Sequence, residues 1–146
     1  MTGPQTVHLP PRAWRRRDSL FAGTHPRLIL DPTIAGADLH GGVIDLDPGA
    51  TVKLHYHRRG ELQFVLAGRG KLLHADGTES PVAANSAVFS PAGKSGAHGF
   101  RNSGRTRMSI LFLYPSPGGR RPAVTLLKRG ASQPTRPRAQ PAPTKT

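Results

Sequence analysis

The sequence predicts an all-β protein built as an antiparallel sandwich or barrel, and three observations support this class. Glycine (17) and proline (15) are abundant among the 146 residues, so the chain must turn often. Short apolar runs alternate with turn sequences such as "DPG", "DGT" and "PAG". No segment shows helical periodicity over the length of a typical helix.

Each predicted strand is a short apolar or alternating run that ends at a turn signal. "RLIL" ends before Asp31 and Pro32, "GGVIDL" ends before "DPG", and "RRG" separates "TVKLHYH" from "ELQFVLA". "DGT" follows "KLLHA", and "PAG" follows "SAVFS". Together with three runs nearer the C-terminus, the predicted strands cover residues 27–30, 41–46, 51–57, 61–67, 71–75, 86–90, 97–102, 107–114 and 123–127.

The length suggests one domain, and composition divides the chain into three parts. We expect an N-terminal arm over residues 1–27, a β-barrel over 28–127 and a tail over 128–146. The tail is basic, rich in proline and poor in apolar residues, which predicts disorder. Most of the net charge of +13 lies in the two end segments. We expect these charges to be solvated, and we do not expect nucleic acid as a partner.

The residue types that the chain lacks narrow the possible sites. There is no cysteine, so disulfides and thiolate ligands are excluded and any metal must be held by nitrogen and oxygen atoms. No apolar run is long enough to cross a bilayer, and the N-terminal residues lack the apolar core of a secretory signal. The sequence therefore predicts a cytoplasmic protein without a membrane partner.

The stretch "HYHRRGE" is the candidate site. Because side chains alternate across a strand, His55 and His57 point the same way. The turn "RRG" allows the chain to reverse, and two adjacent antiparallel strands would bring Glu61 beside the two histidines. Gln63 shares the face of Glu61, and His98 begins another strand after a Pro–Gly turn. Three imidazoles and a carboxylate are a suitable ligand set for a divalent transition metal.

Two stretches resemble the two motifs of the cupin superfamily. In "GATVKLHYHRRGELQFVLAG", the first motif is matched by Gly49, His55, His57, Glu61 and Gly68. In "NSAVFSPAGKSGAHGFRN", the second motif is matched by Pro91, Gly93, His98 and Asn102. Two departures are visible: Asn85 stands where the motif has a leading glycine, and the gap between Gly93 and His98 is longer than usual. The short segment between the motifs is similar to that of small single-domain microbial cupins.

The resemblance implies a double-stranded β-helix, the jelly-roll barrel of cupins. It also implies one divalent metal (Fe, Mn, Ni, Zn or Co) held inside the barrel by His55, His57, Glu61 and His98. Glu61 is the candidate catalytic residue, since a carboxylate ligand that dissociates can serve as a base.

The predicted substrate pocket includes Lys53, Gln63, His74 and Phe100. Lys53 has the parity of His55, which would place its ammonium inside the barrel beside the metal. The alternative for His74 is that it is an ordinary histidine of the sheet or surface. The same alternative applies to His40.

The predicted function is that of a metal-dependent enzyme acting on a small polar molecule, with dioxygenase, lyase or isomerase chemistry. A non-catalytic binding module and an accessory subunit of a larger enzyme are the alternatives. Leu62, Phe64 and Leu66 have the parity opposite to the ligands, so a strand apolar on both faces needs a cover on its outer side. We expect a homodimer on this basis.

Overall fold

The fold is seen in a computed structural model that describes residues 20–30, 38–119 and 123–127. Most of the predicted arm and the whole predicted tail lie outside these residues, so the disorder expected for 128–146 stays a prediction. The strands are β1 (Thr24–Leu30), β2 (Leu39–Leu46), β3 (Thr51–Tyr56), β4 (Glu61–Ala67), β5 (Arg69–His74), β6 (Glu79–Ala83), β7 (Ala87–Ser90), β8 (His98–Asn102), β9 (Met108–Pro115) and β10 (Thr125–Leu126).

The strands form two five-stranded antiparallel sheets that face each other. The first sheet has the order β1-β2-β9-β4-β7, and the second has the order β10-β3-β8-β5-β6. The chain is therefore an all-β protein of the double-stranded β-helix type, as predicted. Within the part of the chain that the structure describes, no helix is long and apolar enough to cross a membrane.

Every predicted strand overlaps an observed one, and the sequence missed only β6 among the described strands. Pro81 lies in the middle of β6 and weakens the strand signal of "ESPVA". The structure places β6 at the edge of its sheet, where the missing N–H of a proline removes no hydrogen bond of the ladder. The barrel also starts before residue 28, because β1 begins at Thr24 and Phe21 packs into the core.

The interior changes from apolar to polar along the strands. At one end, the core cluster includes Leu46, Val65, Met108 and Ile110, which are 0–1% exposed. On the second sheet, Phe100 continues this layer. Further along the same strands the interior positions become histidine, glutamate, glutamine and tyrosine. The apolar layer thus closes one end of the barrel and forms the floor beneath the polar residues.

The two departures from the cupin motifs each have a structural solution. Asn85 has φ of 72°, and no other non-glycine residue among those described has a positive φ. Asparagine tolerates this left-handed conformation, so it replaces glycine at small cost. The longer gap after Gly93 is taken up by a 3-10 helix at Lys94–Gly96, which leads directly into His98.

Candidate metal centre

The four predicted ligands come from both sheets. His55 lies near the end of β3 and His57 directly follows that strand, while His98 opens β8, the strand that pairs with β3. Glu61 opens β4, which belongs to the other sheet. The predicted pairing of the strands before and after "RRG" is therefore wrong: the turn carries the chain from one sheet to the other. Glu61 reaches the histidines across the barrel interior.

The ligand atoms of His55, His57, Glu61 and His98 all lie within 4.8 Å of one another, and all four residues are buried. His55 and His98 are direct cross-strand partners, with ring centroids 4.6 Å apart. Three imidazoles and one carboxylate at this separation could hold a divalent transition metal.

Hydrogen bonds to the backbone fix the proton on each of the three rings. The Nδ1–H of His55 donates to the Lys53 carbonyl at 2.8 Å, and that of His98 donates to the Gly96 carbonyl at 2.9 Å. The Nδ1–H of His57 donates to the Ala123 carbonyl at 3.2 Å. A carbonyl can only accept, so each neutral ring keeps its proton on Nδ1 and presents the lone pair of Nε2 to the cluster. Ligands of a metal are oriented in this way.

Glu61 supplies a buried carboxylate oxygen that also fits a metal site. Its Oε2 lies 3.2 Å from His57 Nε2 and 3.0 Å from His98 Nε2. Neither contact has hydrogen-bond geometry, and Oε2 is buried without a hydrogen-bond partner. Such an atom is costly unless a cation satisfies it. The donor set and this oxygen therefore fit a metal ion.

Burial and electrostatic coupling within the cluster shift three pKa values of the metal-free protein. Burial, followed by the neighbouring His98 ring, lowers the pKa of His55 to about 4. Burial works to raise the pKa of Glu61, but the His57 and His98 rings outweigh it and hold that pKa at about 2. Burial lowers the pKa of His57, yet the Glu61 carboxylate and the Ala123 carbonyl together raise it above its usual value. His55 and Glu61 are thus in their ligand forms at neutral pH.

Lys53 does not occupy the predicted interior position, because a β-bulge interrupts the alternation of β3. Val52 lies opposite Phe100 and His55 lies opposite His98, so three steps of β3 match two steps of β8. Val52 and His55 consequently face the interior, and Lys53 is exposed to solvent. The parity argument for a cationic side chain beside the metal is wrong for this reason.

The other three predicted pocket residues lie on the inner face. Gln63 is 2% exposed; its amide nitrogen lies 2.9 Å from His98 Nε2, and its amide oxygen accepts from Ser90 at 3.3 Å. The Phe100 ring lies 6.3 Å from the His98 ring and forms part of the floor. His74 is the cross-strand partner of His98 on the opposite side from His55. It is half-buried, and its Nε2 is 2.7 Å from Ser80 Oγ.

Sequence reasoning missed Tyr114 and gave too little weight to His40. Tyr114 is buried, and its ring centroid is 5.2 Å from that of His57. His40 is 1% exposed, pairs with Tyr114 across β2 and β9, and stacks on its ring at 5.1 Å. The available signal was alternation along β9, since Met108, Ile110, Phe112 and Tyr114 share the inner face.

The family model described as a cupin domain matches residues 42–114, and this chain belongs to that family. Among curated proteins no sequence matches the chain.

Solved structures extend the likeness beyond the family model. The polyketide cyclase RemF from Streptomyces resistomycificus is 26% identical, with a TM-score of 0.65 over 79% of this chain and 78% of that one. A Cupin 2 conserved barrel domain protein from Salinispora arenicola CNS-205 is 19% identical, with a TM-score of 0.64 over 79% and 92%. A predicted oxalate decarboxylase from Thermotoga maritima is 24% identical, with a TM-score of 0.55 over 71% and 81%. At these identities, the structures from Salinispora arenicola and Thermotoga maritima show only that the fold is shared.

Proposed function

We propose that this cupin is a metal-dependent enzyme that converts a small oxygen-bearing molecule inside the barrel. One observation carries the proposal. The three Nδ1–H groups donate to backbone carbonyls, so three Nε2 lone pairs point into the cluster, where Glu61 Oε2 has no hydrogen-bond partner. A divalent transition metal (Fe, Mn, Ni, Zn or Co) held by His55, His57, Glu61 and His98 would act as a Lewis acid towards an oxygen of the bound molecule.

The lining favours a neutral substrate over a carboxylate. Among the residues that the structure describes, no lysine or arginine side chain is buried, and Lys53 is exposed. The surroundings of the cluster are aromatic, with Phe100 in the floor and Phe112 and Tyr114 in the walls. An oxygen-rich molecule with flat, apolar parts fits such walls and needs no cationic partner. The likeness to a polyketide cyclase supports this substrate class and favours lyase-like or cyclising chemistry over oxidation.

The chain's own polar groups have separable roles in this proposal. Gln63 donates its amide N–H to the lone pair of His98 Nε2. If His98 gave this lone pair to a metal, the Gln63 amide N–H would be free to donate to a substrate oxygen. Ser90 holds the other end of the Gln63 amide and fixes its orientation. Glu61 is the only carboxylate in the cluster and is the group that can accept a proton from a carbon acid beside the metal.

The test begins with metal analysis of protein purified without added metal. The protein is then stripped with a chelator, reloaded with each divalent ion separately, and screened against aryl β-diketones, organic acids, sugars and amino acids. We expect turnover of a neutral oxygen-rich compound with one particular ion, and loss of that turnover on chelation. Glu61→Gln should retain some metal but lose most turnover, because the amide ligates weakly and accepts no proton.

A histidine outside the cluster provides the control. His25 lies on the surface beside Asp47, at 2.8 Å, and His25→Ala should leave metal content and turnover unchanged. Tight binding of a compound without conversion across the whole screen would favour the binding-module alternative. Absence of metal binding in the full chain would overturn the proposal.

We also propose that the protein is a homodimer formed through the outer face of the first sheet. Phe89 is 71% exposed there, and Leu62 and Leu66 are 44% and 47% exposed. The outer face of the second sheet instead carries charged side chains, among them Arg69 and Arg101. An apolar face of this kind marks an interaction surface. The cytoplasmic location expected from the sequence stays a prediction.

A further inference from the structure

The three histidines of the cluster differ in where their orienting carbonyls come from. His55 and His98 each use the carbonyl two residues earlier in their own strand or turn, Lys53 and Gly96. His57 uses the carbonyl of Ala123, which is 66 residues away in the sequence. The first two rings are therefore oriented by local structure. His57 is oriented only when the segment 123–127 lies in place.

Segment 123–127 is attached to the barrel by few interactions. Its short strand β10 adds to the edge of the second sheet, with Thr125 opposite Tyr56 and Leu126 opposite His55. The N–H of Leu127 donates to the Leu54 carbonyl at 3.0 Å. Val124 and Leu126 remain 43% and 47% exposed, so their side chains bury little apolar surface. A two-residue strand held mainly by backbone hydrogen bonds has a low free energy of local opening.

We propose that segment 123–127 is a working part of the metal centre, which sets the tautomer of His57 through the Ala123 carbonyl. Without this carbonyl nothing holds the proton on Nδ1. The negative charge of the Glu61 carboxylate, whose Oε2 lies 3.2 Å from Nε2, then favours the other tautomer, with the proton on Nε2. A proton on Nε2 blocks the lone pair that a metal requires. Docking of the segment and metal binding are therefore coupled, and by linkage each strengthens the other.

The inference rests on the proposed metal centre, and two truncations separate the effect of β10 from that of the tail. A chain ending at residue 127 keeps β10, while a chain ending at residue 122 lacks it. Dissociation constants for zinc or cobalt are measured by competition with a chromophoric chelator. Loss of an outer partner of a ligating histidine weakens metal affinity by about 10–100-fold, which we expect for the shorter chain only. Equal affinity in both chains would overturn the inference.

A milder perturbation covers the case in which the shorter chain does not fold. Leu127→Pro removes the N–H that bonds to the Leu54 carbonyl and leaves the rest of the segment present. Its control is Leu126→Thr, which alters an exposed side chain and keeps every backbone donor. We expect weaker metal affinity in Leu127→Pro and unchanged affinity in Leu126→Thr. Equal weakening in both variants would point to side-chain packing and refute the proposed role of the backbone.

Two measurements do not depend on activity and distinguish the proposed role of segment 123–127 from the proposed function. In the metal-free protein, at a pH above the raised pKa of His57 where its ring is neutral, long-range proton–nitrogen NMR correlations report the tautomer of His57. The proton should be on Nδ1 in the full chain and move towards Nε2 in Leu127→Pro. Hydrogen exchange of residues 124–127 should slow when metal is added. If the full chain binds no metal, the proposed function fails while the tautomer measurement still decides the role of Ala123.

Discussion

Replacing His55 by glutamine should remove a specific part of the acid sensitivity of the metal-free protein. His55 is 7% exposed, and burial together with the His98 ring lowers its pKa from 6.5 to about 4. The unfolded chain therefore binds a proton at this residue over a pH range in which the folded barrel does not. Stability that depends on the neutral ring is fully present above pH 6.5 and is lost as the pH falls towards the folded pKa.

The size of the effect follows from the shift. A shift from 6.5 to about 4 lowers the free energy of unfolding by about 2.5 kcal/mol between pH 6.5 and the folded pKa. Glu61 has the same sign but acts at lower pH, since its pKa falls from 4.5 to about 2. His57 has the opposite sign, because its raised pKa gives stability that is lost as the pH rises above 6.5.

Urea denaturation in the presence of a chelator, at several pH values through this window, measures the contribution. The wild-type free energy of unfolding should fall more steeply with acid than that of His55→Gln, by about 2.5 kcal/mol over the whole window. Glutamine keeps a donor for the Lys53 carbonyl but does not titrate. Parallel curves for the two proteins would show that His55 is not buried in the neutral state and would refute the reasoning.

Three further outcomes are expected. His57→Ala should lose most bound metal yet keep the circular dichroism of the folded barrel, while His25→Ala keeps both; unchanged metal stoichiometry in His57→Ala would contradict its assignment as a ligand. Phe89→Asp places a charge on the exposed apolar face and should convert a dimer to a folded monomer in light scattering. In Gly96→Ala the new Cβ would lie 1.7 Å from the Pro91 carbonyl oxygen, so the free energy of unfolding should fall by about 1–3 kcal/mol. Metal affinity should also drop in this variant, because the Gly96 carbonyl orients His98.

The sequence by itself determined the class of fold, most of the strands and the identity of the clustered residues. Alternation is a local property, so β4 was predicted with the bounds that the structure has, Glu61–Ala67. The inward direction of Glu61, Gln63 and Val65 follows from the same parity and agrees with their burial. The spacing of the histidines within two motifs identified the group that the fold brings together. A strand broken by Pro81 gave no such signal.

Only the tertiary structure decided how these parts meet. Parity assigns a side chain to a face but does not say which sheet a strand joins. The sequence therefore predicted that β4, which begins at Glu61, pairs with β3, whereas the two strands lie in opposite sheets. A bulge depends on the register with the partner strand, and this register turned Lys53 out to solvent. The contacts of Tyr114 with His57 and of His57 with Ala123 join residues far apart in the chain. Local periodicity carries no information about such pairs. The first is fixed by the packing of one sheet against the other, and the second by the pairing of β10 with β3 within one sheet.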